Sequence, residues 1–185
     1  MANADRPSGF MPIRHAFGGR IHANPYKITS AYGTGIFTGD AVVLTSGRVN
    51  QASHNSAVLL GVFAGCRYRA SDGSIVFSNT WPASTVTLGS EDAECYVWDD
   101  PGIVFRAQSD TGTAYVDATH KGTVCDIELD HAGNTTTGQS GMELDIGDTG
   151  EGVWLMLGLV DEPNNAAGVN AKLEVKMAIS LVQGS

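Results

Sequence analysis

The sequence is poor in charged residues and has no long hydrophobic run. Asp, Glu, Lys and Arg account for 17% of its 185 residues, below the roughly 25% of an average soluble protein. No apolar stretch approaches the roughly 18 residues that a membrane-spanning helix needs, and the N-terminus has no apolar signal core. We therefore expect no membrane partner and no secretion.

Positive charge is especially scarce. The chain has 11 Lys and Arg against 20 Asp and Glu, which gives a net charge of -9. Nucleic-acid binding depends on clustered Lys and Arg, so we expect no nucleic-acid partner. The imbalance is uneven along the chain, because three arginines and one aspartate give residues 1–25 a charge of +2 and leave -11 on the remainder.

Cysteine is too rare and too widely spaced to indicate a disulfide framework or a metal site. Cys66, Cys95 and Cys125 are an odd number of residues far apart in the chain, which argues against a disulfide framework and against a zinc site. We expect three buried thiols. The sequence has neither a Walker loop nor a dinucleotide-binding fingerprint, and we predict no cofactor.

Glycine, in contrast, is abundant and separates many short apolar blocks. There are 23 glycines, where average usage would give about 13. Short runs of β-branched and aromatic residues bounded by turns are typical of strands. Such runs occupy residues 26–30, 36–38, 41–45, 48–50, 57–68, 75–77, 95–98, 103–105, 113–116, 125–130, 153–160 and 173–177. They predict an all-β protein, an antiparallel β-sandwich or barrel, with bends or bulges at Gly61 and Gly65.

The first 25 residues differ from the rest of the chain. Pro7, Pro12 and Pro25 disfavour a long helix and favour extended chain. Apolar residues in this segment are Phe10, Met11, Ile13, Phe17 and Ile21. A mobile tail and an arm that lies on a neighbouring molecule both fit this composition. We accordingly divide the chain into an extended N-terminal arm, residues 1–25, and a β-rich body domain, residues 26–185.

Two Asp-Thr-Gly motifs raise the question of an aspartic protease. They begin at Asp110 and Asp148, and in such enzymes two close carboxylates share one proton and activate water. Each motif should follow a strongly apolar strand, but polar residues precede both of them here. Because Asp-Thr-Gly is also an ordinary turn sequence, we predict turns and no catalytic residues, with the protease as an alternative.

Acidic residues in two places are candidate cation ligands. Asp145, Asp148 and Glu151 lie close together beside glycines and could supply oxygens to a calcium ion, although their spacing is not that of an EF-hand. The alternating acidic residues of the block 125–130 are predicted instead to form the solvated face of a strand. Because acidic turns are common in a chain this acidic, we predict no metal site at the first group and a solvated strand face at the second.

Three blocks of sequence, in their order along the chain, carry a resemblance to a known family. They are GDAVVL at 39–44, GVFAG at 61–65 and YVWDDPG at 96–102. Together with the N-terminal arm and the length of the chain, these blocks resemble the head decoration, or cement, proteins of tailed bacteriophages. The resemblance extends over most of the chain.

The resemblance implies a non-enzymatic virion protein that is made in the host cytoplasm and docks on the outer surface of the mature capsid. Its partners would be the major capsid protein and further copies of itself, with a homotrimer favoured by the threefold sites of capsids. A tail or fibre component, or a receptor-binding module, is the alternative. A fibre component would more often show repeats or heptads.

Within this interpretation the N-terminal arm supplies the capsid contacts. We predict apolar anchors at Phe10, Ile13 and Phe17 and polar anchors at Arg6, Arg14 and Arg20. Deletion of residues 1–25 is expected to abolish head binding and to leave the body folded.

Overall fold

The structure, a computed structural model, describes residues 3–54, 56–149 and 152–182. These residues form fourteen mostly short strands, one short α-helix, α1 (Asp117–His120), and a single 3-10 turn at Leu88–Ser90. The ladders that join the strands are antiparallel. The all-β antiparallel fold predicted from the sequence is therefore confirmed. Within these ranges no helix has the length and apolar character needed to cross a membrane.

The strands are distributed over two large sheets and one small pair. In chain order they are β1 (Met11–His15), β2 (Asn24–Ile28), β3 (Ile36–Phe37), β4 (Ala41–Thr45), β5 (Arg48–Gln51), β6 (Gly61–Arg69), β7 (Ile75–Ser78), β8 (Thr80–Trp81), β9 (Ala93–Trp98), β10 (Ile103–Gln108), β11 (Val124–Glu128), β12 (Glu143–Asp145), β13 (Trp154–Leu159) and β14 (Lys172–Met177). The first sheet has the order β1-β10-β14-β13-β11-β12. The second has the order β2-β9-β6-β4-β5, with β7 paired to β6, and β3 pairs with β8.

The second sheet is apolar on both of its faces. Successive residues of β4 show this, because Ala41 belongs to the core between the two sheets and Val42 belongs to a second core on the opposite face. The outer strands β2 and β5 also contact each other, so the sheet curls around this second core. Trp154 and Trp81 are fully buried, one in each core.

Several predicted features are confirmed at the level of single residues. The three cysteines are buried free thiols, and burial raises the pKa of Cys66 and of Cys95 to about 12. The bulge expected in β6 is present, since its register with β9 shifts between Phe63 and Gly65.

Two local predictions are wrong. Residues 113–116 do not form a strand: Tyr115 is buried, its backbone exchanges hydrogen bonds with Gly168, and α1 follows directly. The expected wet face of β11 is not fully wet, because Asp126 is buried. Alternation along β11 correctly indicates which side faces the core but cannot show that loops cover the other side.

The N-terminal segment is integrated into the body. β1 pairs with β10, and β2, which begins at Asn24, pairs with β9. Phe10 is fully buried and stacks on Trp154 with ring centroids 4.1 Å apart. Pro12 is tolerated because β1 is an edge strand and its register shifts just after the proline. The boundary predicted at residue 25 therefore differs from the observed packing.

Gly9 allows the chain to turn Phe10 into the core. Its φ is +67°, and a Cβ built on it would lie 2.4 Å from the Cβ of Ser140. An L-residue would therefore meet both an unfavourable backbone conformation and a steric clash at this position. The Phe10 N–H then donates to the Gly39 carbonyl at 2.8 Å, which ties the start of β1 to the entry of β4.

Candidate docking surface

The loop between β1 and β2 carries the most exposed aromatic side chain among the described residues. Phe17 is 83% exposed, and Arg20 and Ile21 further along the loop are also exposed. This loop, residues 16–23, is the stretch of chain that passes from the first sheet to the second. We call it the Phe17 loop.

His15 holds the start of the Phe17 loop in place. Its Nδ1 accepts hydrogen bonds from the backbone N–H groups of Phe17 at 3.2 Å and of Gly19 at 3.0 Å. Because Nδ1 accepts, Nε2 carries the proton, and it lies 3.1 Å from Oδ2 of Asp100. The imidazole also contacts the Phe17 ring edge-on, with centroids 5.9 Å apart. The exposed aromatic ring is therefore presented on an ordered turn.

Asp100 belongs to the turn that the sequence singles out after β9. Its Oδ1 accepts from the Gly102 N–H at 2.7 Å, so the same carboxylate closes the turn and orients His15. The Gly102 carbonyl in addition accepts from the Ala16 N–H at 2.8 Å. The turn before β10 thus holds the start of the Phe17 loop through these hydrogen bonds. The sequence of neither segment alone shows that the two are in contact.

The structure distributes the six predicted contact residues unevenly. Ile13 and Arg14 are exposed on the edge strand β1, and Phe17 and Arg20 are exposed on the Phe17 loop that follows β1 in the chain. The Arg14 guanidinium also pairs with Glu174 of β14. We call these four residues the Phe17 surface.

Two of the six lie away from the Phe17 surface. Arg6 is exposed, but its backbone N–H donates to Gln108, which lies at the other end of β10 from Ile103, the partner of His15. Phe10 lies in the core and lacks the exposure that an anchor for another protein requires. The expectation of an exposed anchor at Phe10 is wrong, because an apolar residue in a Pro- and Gly-rich segment can equally serve the protein's own core.

A second exposed apolar patch lies on β7 and was missed from the sequence. Phe77 is 72% and Ile75 is 64% exposed, and β7 pairs only with β6 among the described residues. The Arg67 guanidinium carbon lies 5.9 Å from the centre of the Phe77 ring, within cation–π range. The block 75–77 is apolar throughout. Its sequence therefore predicts a buried strand and gives no sign that the strand is exposed.

The face of the β11–β12 pair that points away from the core is strongly acidic. Asp126 lies opposite Asp145, and Glu128 lies opposite Glu143, although like charges directly opposite each other destabilise a sheet. Burial raises the pKa of Glu143 to about 7, against the lowering effect of the nearby His131. Carboxylates concentrated in this way need protons, cations or donor groups around them.

One histidine lies beside the Asp126 end of this acidic face. The ring of His54 is 4.0 Å from carboxylate oxygens of both Asp126 and Asp148. Its hydrogen bond to the Ile127 carbonyl raises the pKa of the imidazole, and the charge of Asp126 adds to this effect. His54 therefore lies where two carboxylates approach each other, a position that favours the protonated form of its ring.

The residues considered above as calcium ligands and as protease carboxylates have local roles here. Oδ1 of Asp145 accepts from the backbone N–H groups of Gly147 and Asp148 at 3.0 and 3.1 Å, as in an Asx turn. Asp110 accepts from the Gly112 N–H at 2.7 Å, and burial raises the pKa of Asp110. Glu151, the third candidate calcium ligand, lies outside the described residues.

Comparison with protein-family models, with curated proteins and with solved structures finds no match to this chain.

Proposed function

We propose that the protein decorates the outer surface of a mature tailed-phage capsid and stabilises it. The observation that carries the proposal is the Phe17 loop, which holds a largely exposed phenylalanine on a turn fixed by His15 and Asp100. The resemblance of the three sequence blocks to head decoration proteins supplies the class of partner. The major capsid protein and further copies of this chain are the proposed partners.

The Phe17 surface has the chemistry of a protein-binding site. Binding energy at interfaces is concentrated in a few residues, among which large aromatics and arginines are over-represented. Here Phe17 lies between exposed arginines at positions 14 and 20. The hydrogen bonds to His15 fix the loop before binding, which lowers the conformational entropy lost in the complex.

Decoration gives these contacts a physical consequence for the capsid. A protein that binds only the expanded lattice stabilises that lattice by mass action. If the chain is a trimer, three modest contacts act together, because the second and third become intramolecular after the first.

The test is co-sedimentation of the full chain with expanded heads, and with unexpanded proheads, of the phage that encodes it. We expect saturable binding to expanded heads alone. Phe17→Ala should weaken that binding by about tenfold or more. Phe77→Ala is the matched control, because it removes another largely exposed phenylalanine from the other sheet.

The outcomes separate the capsid from the particular surface. Absence of binding to both kinds of head would contradict decoration and favour a tail, fibre or receptor-binding role. Equal effects of the two substitutions would contradict the role of the Phe17 surface. Deletion of residues 1–25 is unsuitable as the test, since it also removes β1 and the buried Phe10.

A further inference from the structure

We propose that Asp5, His131 and Glu143 form a binding site for a divalent metal ion of the Zn²⁺ class, and that the ion fastens the N-terminal segment to the body. The three residues come from the segment before β1, from the loop after β11 and from β12. The inference stands independently of capsid binding.

The geometry brings one imidazole and two carboxylates together. Nδ1 of His131 lies 3.0 Å from Oε2 of Glu143, and Nε2 of His131 lies 3.7 Å from Oδ2 of Asp5. One ligand atom from each residue can be chosen so that all three lie within 4.8 Å of one another. Zinc binds histidine nitrogen and carboxylate oxygen at about 2.0–2.2 Å. Because one ion binds only one nitrogen of the ring, it would replace the hydrogen bond between His131 and Glu143, and the exposed Asp5 and His131 side chains would rotate toward it.

An unpartnered oxygen at the base of the cluster points to a ligand. Glu143 is only 2% exposed, and its Oε1 is buried without a hydrogen-bond partner among the described residues. A buried carboxylate oxygen with no donor is costly, and the nearby charges of Asp5 and Asp110 add to the cost. A cation bound to Glu143 would remove both penalties.

The N-terminal segment presents Asp5 in a fixed position. On one side, the Asn3 side chain donates to the carbonyls of Ala166 and Val169 at 2.8 and 2.9 Å. The buried Gln108 side chain holds the two residues that flank Asp5. It donates a hydrogen bond to the Ala4 carbonyl and accepts one from the Arg6 N–H. Asp5 is therefore held over His131 before any ion binds, which favours a preformed site.

The ion and its water ligands have a route to the cluster. His131 lines a cavity of about 280 Å³, together with Phe37, Leu129 and Met142. The His131 side chain itself is 43% exposed. A site of three protein ligands with one open side is the arrangement in which zinc keeps a water molecule in its fourth position.

A rival cluster surrounds His54, and the hydrogen bonds decide against it. His54 also lies among carboxylates, with Asp126 and Asp148 in one grouping and Glu128 and Asp145 in another. The buried member of that cluster, Asp126, accepts from the Ile127 N–H at 2.8 Å, whereas Oε1 of Glu143 has no such donor. The demand for a cation is therefore greater at His131.

The experiment is a calorimetric titration of Zn²⁺ into the full, untagged chain after removal of metals with a chelator. We expect one equivalent of Zn²⁺ to bind the wild type. His131→Gln and Glu143→Gln should each weaken binding by about tenfold or more, while the matched control His54→Gln should leave it unchanged. Circular dichroism of each variant verifies that it is folded.

A second readout follows the N-terminal segment itself. Hydrogen exchange of the amides of residues 3–8 should slow on addition of Zn²⁺ in the wild type and in His54→Gln, but not in His131→Gln. The proposal is overturned if the wild type binds no Zn²⁺, if only His54→Gln abolishes binding, or if all variants bind equally. Binding of Ca²⁺ but not of Zn²⁺ would overturn the assigned class of metal.

Discussion

At the scale of single residues, the two phenylalanines of the N-terminal segment have opposite roles. Phe10 stacks on Trp154 in the core, and Phe17 projects into solvent. Phe10→Ala should lower the free energy of unfolding by about 3–5 kcal/mol, as for other buried phenylalanines. Phe17→Ala should change it by no more than about 0.5 kcal/mol.

Urea denaturation of the two variants beside the wild type measures this difference. Similar, small effects for both substitutions would show that residues 3–15 lie on the surface of the folded body rather than within it. The comparison also shows whether Phe17→Ala keeps the stability of the wild type, as the head-binding test requires.

Asp40 gives a second prediction at this scale, one that depends on pH. Burial raises the pKa of Asp40, although hydrogen bonds from Ser140, the Phe37 N–H and Gln51 oppose the shift. A carboxyl whose folded pKa lies above its unfolded value of 3.8 contributes most stability below that value, and the contribution is lost as pH rises through the raised pKa. The stability of the wild type relative to Asp40→Asn should therefore fall as pH rises from near 4 toward neutrality.

Denaturation of both proteins across that pH range isolates Asp40, since the other titrating groups are common to them. Asn keeps the size of the side chain and one acceptor oxygen but cannot ionise. A difference in unfolding free energy that stays constant with pH, or that grows in favour of the wild type, would contradict the burial effect.

At the scale of secondary-structure elements, the junction between β6 and β9 leaves no room at Gly61. A Cβ built on Gly61 would lie 2.3 Å from the Trp98 carbonyl oxygen, which is backbone and cannot rotate away. Gly61→Ala should therefore cost about 1–3 kcal/mol, the range seen when a packed core is overfilled. Gly33→Ala is the control, because nothing lies within 4 Å of its Cβ position.

Thermal or urea unfolding of the two glycine variants checks this prediction. Equal stability of Gly61→Ala and Gly33→Ala would mean that β6 and β9 can separate at this point without loss. The sequence correctly indicates a special backbone at GVFAG, but it cannot show that the constraint at Gly61 is the close approach of β9 rather than a bend.

At the scale of the whole molecule, the limits of sequence reasoning follow from which information is local. Strands such as β4, β9 and β14 are predictable because their alternation and flanking turns lie within the segment itself. β12 is three residues long and β1 contains Pro12, so neither has a local signal strong enough to identify it. The burial of Phe10 depends on Trp154, which is remote in the chain.

The candidate sites show the same dependence on remote parts of the chain. Four of the six predicted contact residues are exposed on β1 and the Phe17 loop, but the hydrogen bond that orients His15 comes from the remote Asp100. The meeting of Asp5, His131 and Glu143 is set by the path of the N-terminal segment over the first sheet. No spacing along the chain indicates it.

The pairing of β1 with β10 has a consequence for when the protein becomes functional. β1 lacks a ladder partner until residues 103–106 exist, and β10 in turn pairs with β14, near the end of the described chain. Contacts between residues so distant in sequence form slowly. Asp100, which orients His15, is also made long after the Phe17 loop leaves the ribosome. An unfinished chain therefore cannot assemble the Phe17 surface, which forms only after β10 and the Asp100 turn have been made.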